Sequence, residues 1–417
     1  MGSYLDKPVT EKISETGSGN DISWGSSCMQ GWRTGMEDAH ITIASLGGNG
    51  NDGVLSSMSL FGVFDGHGGR EVAAFCHDFV PPVFCRCMKA HGPDVQTAMI
   101  GDALTRTFLQ MDDMLRKPEY YQKAFPNKGG STADGPQKPR VIQMMEEKLK
   151  DRVEADMAAA KRDGRIAKGD AEKLGVRMNM LKKLAQFPAE GMEAPDPNGP
   201  ASSVGCTAVC VVLTPLHIIC ANAGDSRAVL CRSGASKALS VDHKPNMPSE
   251  RARIEAAGGT IETQQAPNGG RVQFRVRPGG LSLSRAIGDL QGKTREDLQP
   301  EQQVISAAPD VVVEARSAGD DEFIVIACDG IWDVKSNSEV CDFVRRRLMR
   351  GVPITAIIED LMDACMCKDP KATCGIGGDN MTCVIVLLQS KDAFVEKINS
   401  GKSKSCFPFL CGRSTTK

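Results

Sequence analysis

The stretch Leu60-Phe61-Gly62-Val63-Phe64-Asp65-Gly66-His67-Gly68-Gly69 carries most of what the sequence discloses. Five apolar or small residues read as a buried strand, and the run stops abruptly on an acid set in a Gly-rich loop. Similar short apolar, β-branched runs recur at 208–213, 218–222, 323–328 and 383–388. Helices are expected over 70–89, disturbed at Pro81-Pro82, and over 95–115, 249–257, 338–350 and 354–366. Ser249 suits an N-cap, and Gly258-Gly259 suits a C-terminal stop. Strands come in consecutive groups with helices between the groups. That order implies an α+β protein with antiparallel sheets rather than repeating βαβ units.

The composition, 41% hydrophobic and 24% charged over 417 residues, is that of a soluble globular protein. With 50 Lys and Arg against 52 Asp and Glu, the net charge of -2 argues against a protein built mainly to bind nucleic acid or anionic membrane. No apolar run approaches the roughly 20 residues that span a bilayer, and the polar start from Met1 to Asp21 is not a secretory signal. Many of the 16 cysteines, such as Cys206, Cys210, Cys220 and Cys328, sit inside apolar stretches. They read as reduced thiols of an intracellular chain rather than a disulfide or zinc framework. Residues 117–200 are rich in Lys, Glu, Asp, Pro and Gly and read as a partly helical insertion. They divide a domain covering 22–116 and 201–390, flanked by an N-terminal extension (1–21) and a tail (391–417).

Acids recur where the apolar runs begin or end. Asp65 follows Phe64, Asp225 follows Gly224, Asp329 follows Cys328 with Asp333 four residues on, and Asp379-Asn380 precedes the last strand. Gly288-Asp289 and the pair Glu37-Asp38 join them. Each, taken alone, reads first as an ordinary turn residue. Together they form an oxygen-rich set that suits hard divalent cations, on the order of two ions, better than zinc. Arg33, four residues before Glu37, is either a surface ion-pair partner or a bidentate grip for phosphate. His67 is either a capping histidine or a proton donor to a leaving oxygen. The loop after Asp65 has neither GxGxxG nor a P-loop Lys, which counts against an ATPase.

Several motifs in order resemble those of metal-dependent type 2C serine/threonine phosphatases. They run from Met29-Gln30-Gly31-Trp32-Arg33 and Met36-Glu37-Asp38-Ala39-His40 through Phe64-Asp65-Gly66-His67-Gly68-Gly69 to Gly224-Asp225-Ser226-Arg227. Leu283-Ser284-Arg285-Ala286-Ile287-Gly288-Asp289, Cys328-Asp329-Gly330-Ile331-Trp332-Asp333 and Gly378-Asp379-Asn380-Met381-Thr382 complete the series. The resemblance implies a four-layer α/β/β/α sandwich with two central antiparallel sheets, and a pair of Mn²⁺ or Mg²⁺ ions in a cleft at one edge. By motif, Asp65 would bridge both ions, and the Gly66 carbonyl would serve the first. Asp329 and Asp379 would serve the second, with Glu37 acting through water. Asp225 and Asp333 match acids that hold a weaker third ion in some relatives. Asp38 and Asp289 would support the ligands, Arg33 would bind the substrate phosphate, and His67 would protonate the departing Ser or Thr oxygen.

The chain departs from the family at Ser203-Val204-Gly205-Cys206-Thr207-Ala208, an altered start to a strand. Residues 241–280 correspond to a variable flap, in which His243 and Lys244 are candidates for shaping substrate choice. The expected substrates are phosphoproteins, and the expected state is a cytoplasmic or nuclear monomer. Gly2 raises N-myristoylation, and so reversible membrane contact, although Asp6 stands where the usual pattern has Ser or Thr. The rival reading is a catalytically weak scaffold acting through 117–200. A nuclease is disfavoured by the near-neutral charge and the 5% aromatic content.

Overall fold

A computed structural model describes residues 4–47, 53–90, 96–126, 153, 201–265 and 272–389. In chain order its strands are β1 (Tyr4–Gly19), β2 (Ile22–Arg33), β3 (Ala39–Ile43), β4 (Ser59–Phe64), β5 (Gly66–His67), β6 (Gly205–Cys206), β7 (Ala208–Leu213) and β8 (His217–Ala223). They continue with β9 (Arg227–Arg232), β10 (Ala235–Ala238), β11 (Thr260–Gln264), β12 (Gln273–Arg277), β13 (Ile287–Gly288), β14 (Asp310–Ala315), β15 (Asp321–Ala327) and β16 (Met381–Leu387). The helices are α1 (Glu71–Lys89), α2 (Thr97–Leu115), α3 (Pro118–Ala124), α4 (Pro248–Ala256), α5 (Asp329–Trp332), α6 (Asn337–Leu348) and α7 (Ile354–Cys365).

Two antiparallel sheets form the centre, one ordered β1-β2-β16-β15-β9-β10 and the other β14-β8-β7-β4-β3. Period-two alternation along the strands decides which residues face which layer. In β4, Phe61 and Val63 enter the cluster between the sheets with Ile324, Ile326, Val384 and Val386. Leu60 and Phe64 point the other way, onto Phe75, Phe84, Leu104 and Phe108 of α1 and α2. In β15, Phe323 and Val325 face Val340, Val344, Ile358 and Leu361 of α6 and α7. Three buried clusters thus separate four layers, helix, sheet, sheet and helix, as an α+β sandwich.

Several local expectations shift. Within the N-terminal extension, residues 4–19 form β1, which pairs with β2 from Tyr4↔Arg33 to Gly19↔Ile22 and makes an edge of the six-stranded sheet. Pro81-Pro82 leave α1 continuous, because Pro81 is only half-buried and Pro82 is exposed, on a side where freed carbonyls can reach water. The cap of α4 is Met247 with Pro248 at the first helical turn, so Ser249 is already inside the helix. Gly258, at φ +87°, does end it. Gly2, nearly all of 127–200, and the tail from 391 lie outside the described residues, as therefore do the acylation and scaffold readings that rest on them.

Candidate active site

The strand registers bring the acids to one end of the sandwich. Phe64 pairs with Ala39, which sets Asp65 beside Asp38. Ala327 pairs with both Arg227 and Cys383, which sets Asp329 at the same edge as Asp225 and Asp379. Thr207 N donates to the Asp65 carbonyl at 2.9 Å, pinning the end of β4 to β7. Asn380 ties the other side: its Nδ2 donates to the carbonyls of Gln30 and Gly35, and its Oδ1 accepts from Glu37 N at 3.0 Å. A Cβ on Gly66 would stand 2.3 Å from the Glu37 carbonyl, so the close approach of these two loops requires glycine there.

The convergence is electrostatically unfavourable without a counter-charge. Burial, then the charges of Asp38, Asp329, Asp379 and Asp225, push the Asp65 carboxyl well above the usual range. Asp329 is raised likewise by burial and by Asp225, Asp379 and Asp333, with only partial relief from Lys244. Burial lifts Asp38 to about 7, although Thr382 Oγ1 donates to its Oδ2 at 2.7 Å. Glu37 rises through burial, offset in part by Arg33. No donor among the described residues hydrogen-bonds the side chains of Asp65 or Asp329, both half-buried where the acids converge. Those are the properties of ligands for a hard cation. Among the described residues, however, no three His, Cys, Asp or Glu side chains are drawn into a ready-made cage. Asp333 stands at the exposed rim.

Cationic groups meet the acids at two points. Arg33 Nη2 is 2.5 Å from Asp379 Oδ2, and Asp379 outweighs the effect of burial to raise the guanidinium's pKa. About 39% of the Arg33 side chain stays exposed toward solvent. Lys244 Nζ donates to Asp225 Oδ2. Separately, His67 Nε2 donates to Asp289 Oδ2 at 2.6 Å. The small sheet ordered β13-β6-β5 makes that contact, because His67 pairs with Gly205 and Gly205 pairs with Gly288.

The profile of the family described as Protein phosphatase 2C matches residues 22–135 and 145–372. The chain belongs to the protein phosphatase 2C family. Among similar proteins it is 35% identical over 401 residues to Protein phosphatase 2C homolog 3 of Schizosaccharomyces pombe, covering 95% of this chain and 73% of that one. Probable protein phosphatase 2C 11 of Oryza sativa is 34% identical over 93% of this chain and 90% of its own. The fold is shared with a solved phosphatase from Toxoplasma gondii at a TM-score of 0.56 and 19% identity, covering 91% of this chain and 96% of that one. A C. elegans sex determining protein superposes at 0.54 and 17% identity, over 94% and 68% of the respective chains.

As a protein phosphatase 2C, the chain is a protein serine/threonine phosphatase acting on phosphoproteins, in a family generally dependent on Mn²⁺ or Mg²⁺. The family match runs through most of the segment 117–200 and stops before Asp379. In this phosphatase the flap is fastened through Glu250, which lies outside the quoted motifs. Burial would raise Glu250, but Arg285, Arg253 and Ser284 outweigh it and hold the carboxyl at about 2. Arg285 also reaches Asp310 Oδ1 at 2.7 Å, so the Leu283-Ser284-Arg285 motif serves as a clamp on α4. His243 is corrected from a substrate-facing role. It is 1% exposed, its Nδ1 accepts from Gly224 N, and its Nε2 donates to Asp310, so both ring nitrogens are engaged inside the protein. Lys244, next to it, does reach the acids.

Proposed function

We propose that this phosphatase hydrolyses phosphoserine and phosphothreonine through two Mn²⁺ or Mg²⁺ ions held among the strand-end acids. The observation that carries the reading is the pair Asp65 and Asp329, half-buried carboxylates pushed up by desolvation and by the neighbouring acids, with no hydrogen-bond donor on either among the described residues. Asp65, the Gly66 carbonyl, Asp329 and Asp379 would hold the ions, with Glu37 acting through water. Because the acids form no closed cage, water completes the shell, as small hard cations favour. When bound, such ions supply neutralising charge for phosphoryl oxygens and a more acidic water as nucleophile. Arg33 orients the phosphate with the part of its guanidinium that Asp379 leaves outward. His67, held through Nε2 by Asp289, presents Nδ1 to the departing oxygen. Lys244 already neutralises Asp225, so any third ion at Asp225 and Asp333 would compete with an ammonium and bind weakly.

The test is Mn²⁺-dependent phosphate release from a phosphothreonine peptide by wild type, Asp65→Ala and Asp329→Ala, each checked for wild-type circular dichroism. Metal-dependent turnover in wild type and its loss in folded variants are expected. Variants that keep full turnover would remove the acids from the mechanism.

A further inference from the structure

Behind His67 lies a second layer of polar contacts that the catalytic motifs leave unexplained. Asp289 is 1% exposed and adopts φ +48°, in the left-handed region that non-glycine residues seldom occupy, directly after Gly288 at φ +81°. This turn is what points the Asp289 carboxylate at His67. Its backbone is fastened on one side by Asp289 N to the Val204 carbonyl and by Leu290 N to the Ala201 carbonyl. On the other side the fastening comes from a different layer: Gly288 N donates to Asp112 Oδ1 of α2 at 2.8 Å. The second oxygen of Asp112 is paired with Lys293 Nζ, which also donates to the Ala286 carbonyl at 2.7 Å. Asp112 and Lys293 are only 8% and 7% exposed.

A charge pair buried at that depth stabilises a fold no better than a well-packed apolar pair, and often less well. Joining α2 to the sandwich therefore does not account for it. What the pair does, and an apolar pair cannot, is hold both flanks of β13, at Ala286 and at Gly288, by hydrogen bonds.

We propose that Asp112 and Lys293 are positioning residues for proton delivery: they set the Gly288-Asp289 turn so that Asp289 fixes the ring of His67 with Nδ1 toward the leaving oxygen. The inference rests on the reading of His67 as the proton donor. In that step the P–O bond to the Ser or Thr oxygen breaks, and the oxygen takes the Nδ1 proton as it leaves. The proton given up by the attacking water restores the imidazolium.

Leaving-group chemistry separates this role from a structural one. A Ser or Thr alkoxide is a strong base and needs the proton, whereas p-nitrophenolate is a weak base and departs without one. The experiment compares kcat on a phosphothreonine peptide with kcat on p-nitrophenyl phosphate, at saturating Mn²⁺, in the full chain. The variants are His67→Gln, Asp112→Asn and the double Asp112→Leu/Lys293→Met, the last leaving no unpaired buried charge. Small misplacements of a catalytic group reduce rates by roughly 100-fold, so the double variant should lose roughly that much on the peptide and far less on p-nitrophenyl phosphate. In ¹⁵N-histidine-labelled, metal-free protein, the low-field imidazole proton absent from His67→Gln should be displaced or lost in the double variant. Equal losses on both substrates, or an unmoved imidazole signal, would make the pair structural and overturn the proposal. If His67→Gln itself shows no preferential loss on the peptide, the proton-donor reading falls and the proposal with it. A selective loss in His67→Gln that the double variant lacks would sink the proposal alone.

Discussion

Gly205 lies directly beneath the bond between His67 and Asp289, so Gly205→Ala is a sharp probe of what that bond does. A Cβ at this position would stand 2.1 Å from Asp289 Oδ2 and 2.8 Å from His67 Nε2. Ordinary contact begins near 3.4 Å, so the carboxylate would have to retreat by about 1.3 Å. The strands themselves are closely packed, since a Cβ at Gly288 would meet the Val204 carbonyl at 2.4 Å. Such a displacement, with His67 Nε2 crowded by the same methyl group, breaks the present geometry of the 2.6 Å bond. A hydrogen bond to a charged group contributes about 1.5–3 kcal/mol, and about 1.4 kcal/mol is tenfold in rate. The expected result is a fall in kcat of roughly 10- to 100-fold on a phosphothreonine peptide, with KM and Mn²⁺ dependence little changed. Stopped assays read the rate, and thermal unfolding confirms the fold. A folded Gly205→Ala variant with wild-type kcat would refute the idea that the His67–Asp289 contact matters to the reaction.

Two further outcomes follow from the packing. Glu250 has its folded-state pKa depressed from 4.5 to about 2, so its stabilisation is full above about pH 4.5 and is lost as pH falls toward 2. At about 1.4 kcal/mol per pKa unit that is about 3 kcal/mol. Urea unfolding should therefore show a gap between wild type and Glu250→Gln that narrows over this window; a gap independent of pH would contradict it. Removing residues 1–19 strips β1 from β2, with the Lys12–Asp363 ion pair and the Ser14–Glu359 hydrogen bond to α7. The melting temperature should drop by at least about 5 °C, and light scattering should report association through the bared edge. An unchanged melting curve would mean that β1 is not an integral strand.

The sequence disclosed the centre of the sandwich because apolar, β-branched runs buried on both faces have no other use for that composition. β4, β7, β8, β15 and β16 were all legible within a residue or two. β1 was not, since an edge strand satisfies its backbone on one side and mixes Lys7, Glu11, Lys12 and Glu15 into its pattern to meet solvent and α7. β14 carries a β-branched run, Val311-Val312-Val313, that suits a strand. The acids were visible as a set because each sits where an apolar run stops. The contacts that hold them were not: Asn380 to Gln30, Asp112 to Gly288 and Lys293, and Glu250 to Ser284 join residues 34 to 350 positions apart, and only the fold brings them together. His243 shows the opposite failure. Its place in the flap suggested a part in substrate choice, whereas Gly224 and Asp310 engage both ring nitrogens inside the protein.

The most direct measurement is calorimetric titration of Mn²⁺ into chelator-stripped protein, with Asp65→Ala and Asp329→Ala beside wild type. Uptake of about two ions by wild type, with loss of tight binding in Asp65→Ala and weakened binding in Asp329→Ala, is the result expected if these acids are the ligands. Unaltered stoichiometry and affinity in both variants would contradict the assignment of the metal centre.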